Sequence, residues 1–95
     1  MVMNCLMLDP KDSVAVVLDN LKSGDIAAIR EPNQKMQEVK IIQDIPRYHK
    51  VATANIQAGD LIYKYGQVIG KASRDIQIGE HVHSHNLVSI REGIA

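Results

Sequence analysis

The chain contains no tryptophan and no phenylalanine, and its aromatic content is three tyrosines in 95 residues. Few flat rings are therefore on offer for stacking bases or sugars. The single cysteine, Cys5, excludes an internal disulfide framework and a cysteine metal cluster. A lone free cysteine is ordinarily a small buried hydrophobe. Neither charge dominates: Lys plus Arg and Asp plus Glu both total 11, with no basic block and no glycine-lysine phosphate loop, so nucleic acid is not the expected partner. No apolar run approaches the roughly 18 residues of a membrane helix, and the amino terminus lacks a basic segment leading into an apolar signal. No membrane association and a cytoplasmic location are the resulting expectations. The length suits one small domain, residues 1–95, with an aliphatic core of Ile, Val, Leu and Ala.

Short apolar runs between turn residues predict a mainly β protein with one or two short helices. Residues 11–21, KDSVAVVLDNL, predict a helix, with Asp12 or Ser13 at its start and Gly24 beyond its end, although Val14, Val16 and Val17 equally suit a strand. Ile26 to Ile29 read as a strand, REPNQKMQE as an exposed turn or hairpin tip, and Val39 to Ile42 as the return strand. Pro46 then breaks regular structure.

The second half contains an internal echo. ATANIQAGDLIYKYG at 52–66 aligns without gaps on ASRDIQIGEHVHSHN at 72–86, and a shorter copy, LKSGDI, stands at 21–26. The unit is an apolar anchor, two variable residues, a glycine that supplies the turn, an acid, and a strand. Asp60 and Glu80 occupy matched turn positions, which favours a structural role for both. In this register Ile62 and Val82 face inward, while His81, His83 and His85 stand where Leu61, Tyr63 and Tyr65 do.

Those histidines are the loudest chemical signal. In an extended EHVHSHN segment three imidazoles leave one face, with Val82 and Ser84 opposite. Imidazole is a common transition-metal ligand and a proton carrier near neutral pH. Same-face neighbours on a strand are about 6.6 Å apart, so two metal ligands come more easily than three. His49 stands alone after Pro46, Asn86 suits a histidine-orienting or turn-capping role, and Lys50, Lys64 and Arg74 suit attraction of a small carboxylate. An interface without catalysis explains the strip equally well. The rest of an enzyme is missing: no Ser-His-acid set, no reactive-cysteine setting, and little length for an enclosing pocket.

HKVA at 49–52, GDLIYKYG at 59–66, IGKA at 69–72 and GEHVHSHN at 79–86 closely resemble the SAF domain of the altronate and galactarate dehydratase family. The small subunit of (2R)-sulfolactate sulfo-lyase is similar in the same way. The resemblance implies a β-clip fold and an accessory, small-subunit role beside a separate large dehydratase chain, inactive alone, with copies also able to associate. It implies a carbon-oxygen lyase reaction that removes water from a hydroxy acid such as D-altronate or galactarate, or alternatively loss of bisulfite from sulfolactate; a non-catalytic β-clip binding module is the third reading. A divalent metal, Fe2+ or Mn2+, shared with or held by the large chain, is the implied cofactor. Carried over by motif, His81, His83 and His49 are the catalytic candidates, His81 and His83 the metal ligands, and Lys64, His85 and Asn86 the substrate contacts. One departure is Arg47-Tyr48, where relatives have a smaller, glycine-containing connection.

Overall fold

The computed structural model describes residues 2–89. It is built almost wholly of short strands: β1 (Cys5–Leu6), β2 (Val14–Val17), β3 (Ile26–Arg30), β4 (Met36–Lys40), β5 (Lys50–Ala52), β6 (Leu61–Lys64), β7 (Gln67–Ala72), β8 (His81–Val82) and β9 (Leu87–Val88). They form a six-stranded sheet in the order β4-β3-β1-β2-β5-β8 and a three-stranded sheet in the order β6-β7-β9. Pairing is antiparallel except between β1 and β3. This is the small, folded-over architecture of a β-clip domain.

The helix expected over 11–21 is absent; its centre is β2. All four residues of β2 are buried, Val14 in one apolar cluster with Ile62, Ile76 and Val82, and Ala15 and Val17 in another with Ile29, Ile41 and Val51. A strand covered on both faces carries a continuous apolar run, which periodicity cannot separate from a buried helix. The residues offered as helix caps serve tertiary bonds instead. The Asp12 carboxylate accepts the amides of Leu8, Asp9, Tyr65 and Gly66, and Ser13 Oγ accepts that of Tyr63. Among the described residues the sole helical piece is a 3-10 turn, Pro32–Gln34, at the tip of the β3–β4 hairpin. The return strand begins and ends earlier than expected, at Met36 and Lys40, because Ile41 leaves the ladder to bond its amide to Asp25 O.

Four turns of one design organise the molecule, one more than the sequence pattern disclosed. They run from Leu21 to Asp25, Ile45 to His49, Ile56 to Asp60 and Ile76 to Glu80. In each, the fifth residue's amide bonds the second residue's carbonyl: Asp25 to Lys22, His49 to Pro46, Asp60 to Gln57 and Glu80 to Gln77. The fourth residue has positive φ, 98° at Gly24, 71° at Tyr48, 90° at Gly59 and 88° at Gly79. The turns associate in two pairs through the bridges Leu21–Ile45 and Ile56–Ile76, with Leu21, Ile45, Ile56 and Ile76 all buried. Within each pair the caps are exchanged. Asp44 accepts the Ser23 amide while Asn20 accepts that of Arg47, and Asp75 accepts the Ala58 amide while Asn55 accepts that of Ile78.

Candidate metal centre

The second turn delivers His49 to the start of β5, and β5 pairs with β8 in the register Lys50↔Val82, Val51↔His81. The same antiparallel register carried one step further sets His49 opposite His83. Directly opposed side chains on a sheet meet at close range, and the two rings stack with centroids 4.0 Å apart at 13°. His81 lies diagonally across, its Nε2 2.9 Å from His49 Nδ1. Two elements 32 residues apart thus form one cluster, and the structure joins His49 to the histidine strip. The missed signal was Ile45-Pro46-Arg47-Tyr48-His49, a copy of the turn disguised by a tyrosine in the glycine place and a histidine in the acid place.

The EHVHSHN segment is not extended throughout. Strand β8 stops after Val82, and the chain turns through 83–86, with the amides of Asn86 and Leu87 bonding His83 O at 3.1 and 2.9 Å. Asn86 imposes the turn. Its Oδ1 accepts the His83 amide at 3.0 Å, and its Nδ2 donates to His81 O at 2.8 Å and to the Glu80 carboxylate at 3.5 Å. Asn86 is completely buried, so its amide orients histidine backbone and has no exposed atom with which to contact a substrate. The bend brings the ring of His85 to 5.0 Å from that of His81, while His81 and His83 lie 5.8 Å apart. Inward placement of Ile62 and Val82 holds, both being fully buried. Glu80 serves its own turn, accepting the Gln77 amide at 2.9 Å, as Asp60 does for Gln57 at 3.0 Å.

Burial and neighbouring charge favour the neutral form of two of the rings, His81 and His83. The pKa of His81 is pushed down to about 4, by burial first and then by the neighbouring charges of His85, His49, His83 and Lys50. His83 is lowered by burial and by His49, Lys50 and His85. Lys50 is lowered by burial and by the charge of Lys64, the substrate-contact candidate, which lies on β6 of the smaller sheet with its Nζ 5.0 Å from the Tyr65 ring centre. Among the described residues the ion pair formed is Arg47–Asp19, at 3.4 Å. Cys5, by contrast, is a buried thiol held protonated, its pKa raised to about 12 by burial and by Asp19, as expected of an inert core residue.

One nitrogen from each of His49, His81 and His83 lies within 4.8 Å of the others. Ligand nitrogens sit about 2.0–2.1 Å from a transition-metal ion such as zinc, so two on one ion are about 3 Å apart, close to the 2.9 Å between His49 and His81. The third member supplies the most pointed observation. His83 Nδ1 is, among the described residues, the buried side-chain nitrogen or oxygen left without a hydrogen-bond partner, a condition that native structures rarely leave unexplained. Neutral imidazoles with free lone pairs are the form that coordinates metal. These residues therefore fit a divalent ion. An open groove of about 400 Å³ runs over the Leu21–Ile45 bridge to His81. A similar groove of about 350 Å³ covers Ile56–Ile76, so paired turns create the shape and only the first is bordered by the cluster.

Fold and site together define a β-clip domain with a histidine cluster at one sheet edge. A family model described as the altronate/galactarate dehydratase SAF domain matches residues 3–90, and the chain belongs to that family. It is 36% identical over 81 residues to an altronate dehydratase of Bacillus subtilis, an alignment covering 85% of this chain and 15% of that protein. It is 51% identical over 43 residues to the (2R)-sulfolactate sulfo-lyase subunit alpha of Paracoccus pantotrophus, covering 45% of this chain and 64% of the relative. With the corresponding subunit alpha of Chromohalobacter salexigens it shares 32% identity over 87 residues, 87% of this chain and 90% of the relative. The chain thus spans a small fraction of the altronate dehydratase and most of the second subunit alpha. No helix among the described residues is long and apolar enough to cross a membrane.

Proposed function

We propose that this chain is the accessory subunit of an altronate-dehydratase-like hydro-lyase, presenting His49, His81 and His83 to a cavity completed by a separate large chain. The observation that carries this reading is the convergence of three imidazole nitrogens within 4.8 Å on a domain of this family. His49, His81 and His83 would hold a divalent ion, Fe2+ or Mn2+, which would supply positive charge beside the substrate carboxylate and at the leaving hydroxyl. The chain's own part is to keep His81 and His83 neutral through burial and to align them through the Asn86 turn. Lys64, whose charge is felt at Lys50, contributes positive charge for the substrate carboxylate. His85, tilted against His81, is placed to hydrogen-bond a hydroxyl of the hydroxy acid.

A second reading, subunit of a sulfolactate sulfo-lyase, is favoured by the alignment over 90% of a subunit alpha. Both readings require the same test. The chain is copurified with its large partner, depleted of metal, and assayed with altronate, galactarate and sulfolactate. The expected result is loss of water from a sugar acid that depends on added Fe2+ or Mn2+, no activity of the chain alone, and a fall of about 100-fold or more in H49A, H81A and H83A. Turnover of sulfolactate alone selects the second reading, and full activity in all three variants ends both.

A further inference from the structure

We propose that Pro46 is a positioning residue that frees His49 for the histidine cluster. The inference rests on the reading of His49, His81 and His83 as a metal site, and it follows from comparing the four turns bond by bond.

In three of them the fifth residue is an acid whose side chain is committed. Asp25 accepts the Lys22 amide at 2.8 Å, Asp60 that of Gln57 at 3.0 Å, and Glu80 that of Gln77 at 2.9 Å. The donor is always the second residue of the turn. In the remaining turn that residue is Pro46, which has no amide hydrogen, and the fifth is His49. Every other bond of the design survives there. His49 N reaches Pro46 O at 3.0 Å, Tyr48 N reaches Val17 O at 2.8 Å, Val17 N reaches His49 O at 2.9 Å, and Arg47 N reaches Asn20 Oδ1 at 2.8 Å. The one bond missing is the one that would hold the side chain at position 49 against its own turn.

The atom concerned makes the exchange consequential. Nδ1 of a histidine stands the same number of bonds from Cα as Oδ of an aspartate, so His49 Nδ1 is the atom that could reach an amide at position 46 as the capping oxygens of Asp25 and Asp60 reach theirs. It is also the atom 2.9 Å from His81 Nε2. With an amide hydrogen at position 46, Nδ1 would have two incompatible partners, one within the turn and one across the sheet. Proline removes the first without disturbing the backbone. It also removes the need for a cap, because no amide is left to satisfy.

The test uses the whole chain and Co2+ as the probe, followed by its visible absorption, in wild type, P46Q and P46Q/H49D; glutamine stands at this position in two sibling turns. P46Q is expected to weaken Co2+ binding by about 10- to 100-fold, the usual effect of disturbing a group that orients a ligand. The backbone amide that P46Q introduces should be protected from hydrogen exchange, and nuclear Overhauser contacts between the His49 and His83 rings should weaken. Wild-type Co2+ affinity in P46Q together with free exchange of that introduced amide overturns the inference. If wild type itself binds no Co2+, the metal reading fails, and the ring contacts and amide protection alone decide the positioning role. Should P46Q not fold, the double variant carries the test. Protection of the introduced amide by the new carboxylate in P46Q/H49D supports the inference, and an exposed amide there overturns it.

Discussion

At the scale of single residues the imidazoles are set by what surrounds them. His81 in the folded chain has its pKa pushed down to about 4 from an ordinary value of 6.5, chiefly by burial. Above about pH 6.5 the ring is neutral in both folded and unfolded chains and contributes no pH dependence. As pH falls from about 6.5 through about 4, the unfolded chain takes up a proton that the folded chain refuses, so stability is lost across that window. We therefore expect the melting temperature of the metal-free protein to fall over this range and H81A to flatten the slope; parallel slopes in the two proteins would refute the assignment. The residues of this site were largely legible in the sequence, since His81, His83, His85 and His49 all stand in or beside the cluster. What the sequence could not disclose was their grouping. His49 and His83 meet because β5 and β8 pair in one register, and nothing local to either segment fixes that pairing.

The recurring turn governs the scale of elements. Its glycines are not equivalent, although all have positive φ. A Cβ at Gly59 meets nothing within 4 Å, whereas one at Gly79 would stand 2.2 Å from Lys40 O. G59A should therefore cost only the left-handed backbone penalty, about 1–2 kcal/mol. G79A adds a collision with backbone and should cost about 2–5 kcal/mol. Chemical denaturation of the two variants checks this, and equal losses would show that the clash is relieved elsewhere. Three copies of the turn could be read from Gly-acid pairs. The fourth was hidden because Tyr48 and His49 replace both signature residues. The helix expected over 11–21 failed for a different reason: β2 lies between two apolar clusters, so burial on both faces erased the alternation that would have marked a strand.

At the scale of the whole molecule, the candidate metal ligands join β5 to β8, one of the two edge strands of the larger sheet. Strand β8 is two residues long and, among the described residues, pairs with β5 alone, so an ion shared by His49, His81 and His83 would secure it. A ligand that binds only the folded state at 100 times its dissociation constant stabilises by about 2.7 kcal/mol. In a domain of this size that raises the melting temperature by about 10 °C or more. Calorimetry with and without Mn2+ should show this rise in wild type and not in H83A, and a chelator should reverse it. An equal rise in H83A would place the ion elsewhere. The mainly β character was evident from composition and turn spacing, and the β-clip architecture from family resemblance. The strand order was not, because β1 lies beside β3 and β5 beside β8 through contacts between distant segments.

The exchange of caps between Asn20 and Asp44 bears on where the chain tolerates new ends. Segments 20–25 and 44–49 hold each other's amides, and β3 and β4 are zipped together along the hairpin that joins them. Opening the backbone at the exposed Asn33–Gln34 tip would leave both halves fastened at each end of that hairpin. Fusion of another protein there should leave the imidazoles in place, making the tip a site for a reporter or tether at the opposite edge of the larger sheet from the histidine cluster.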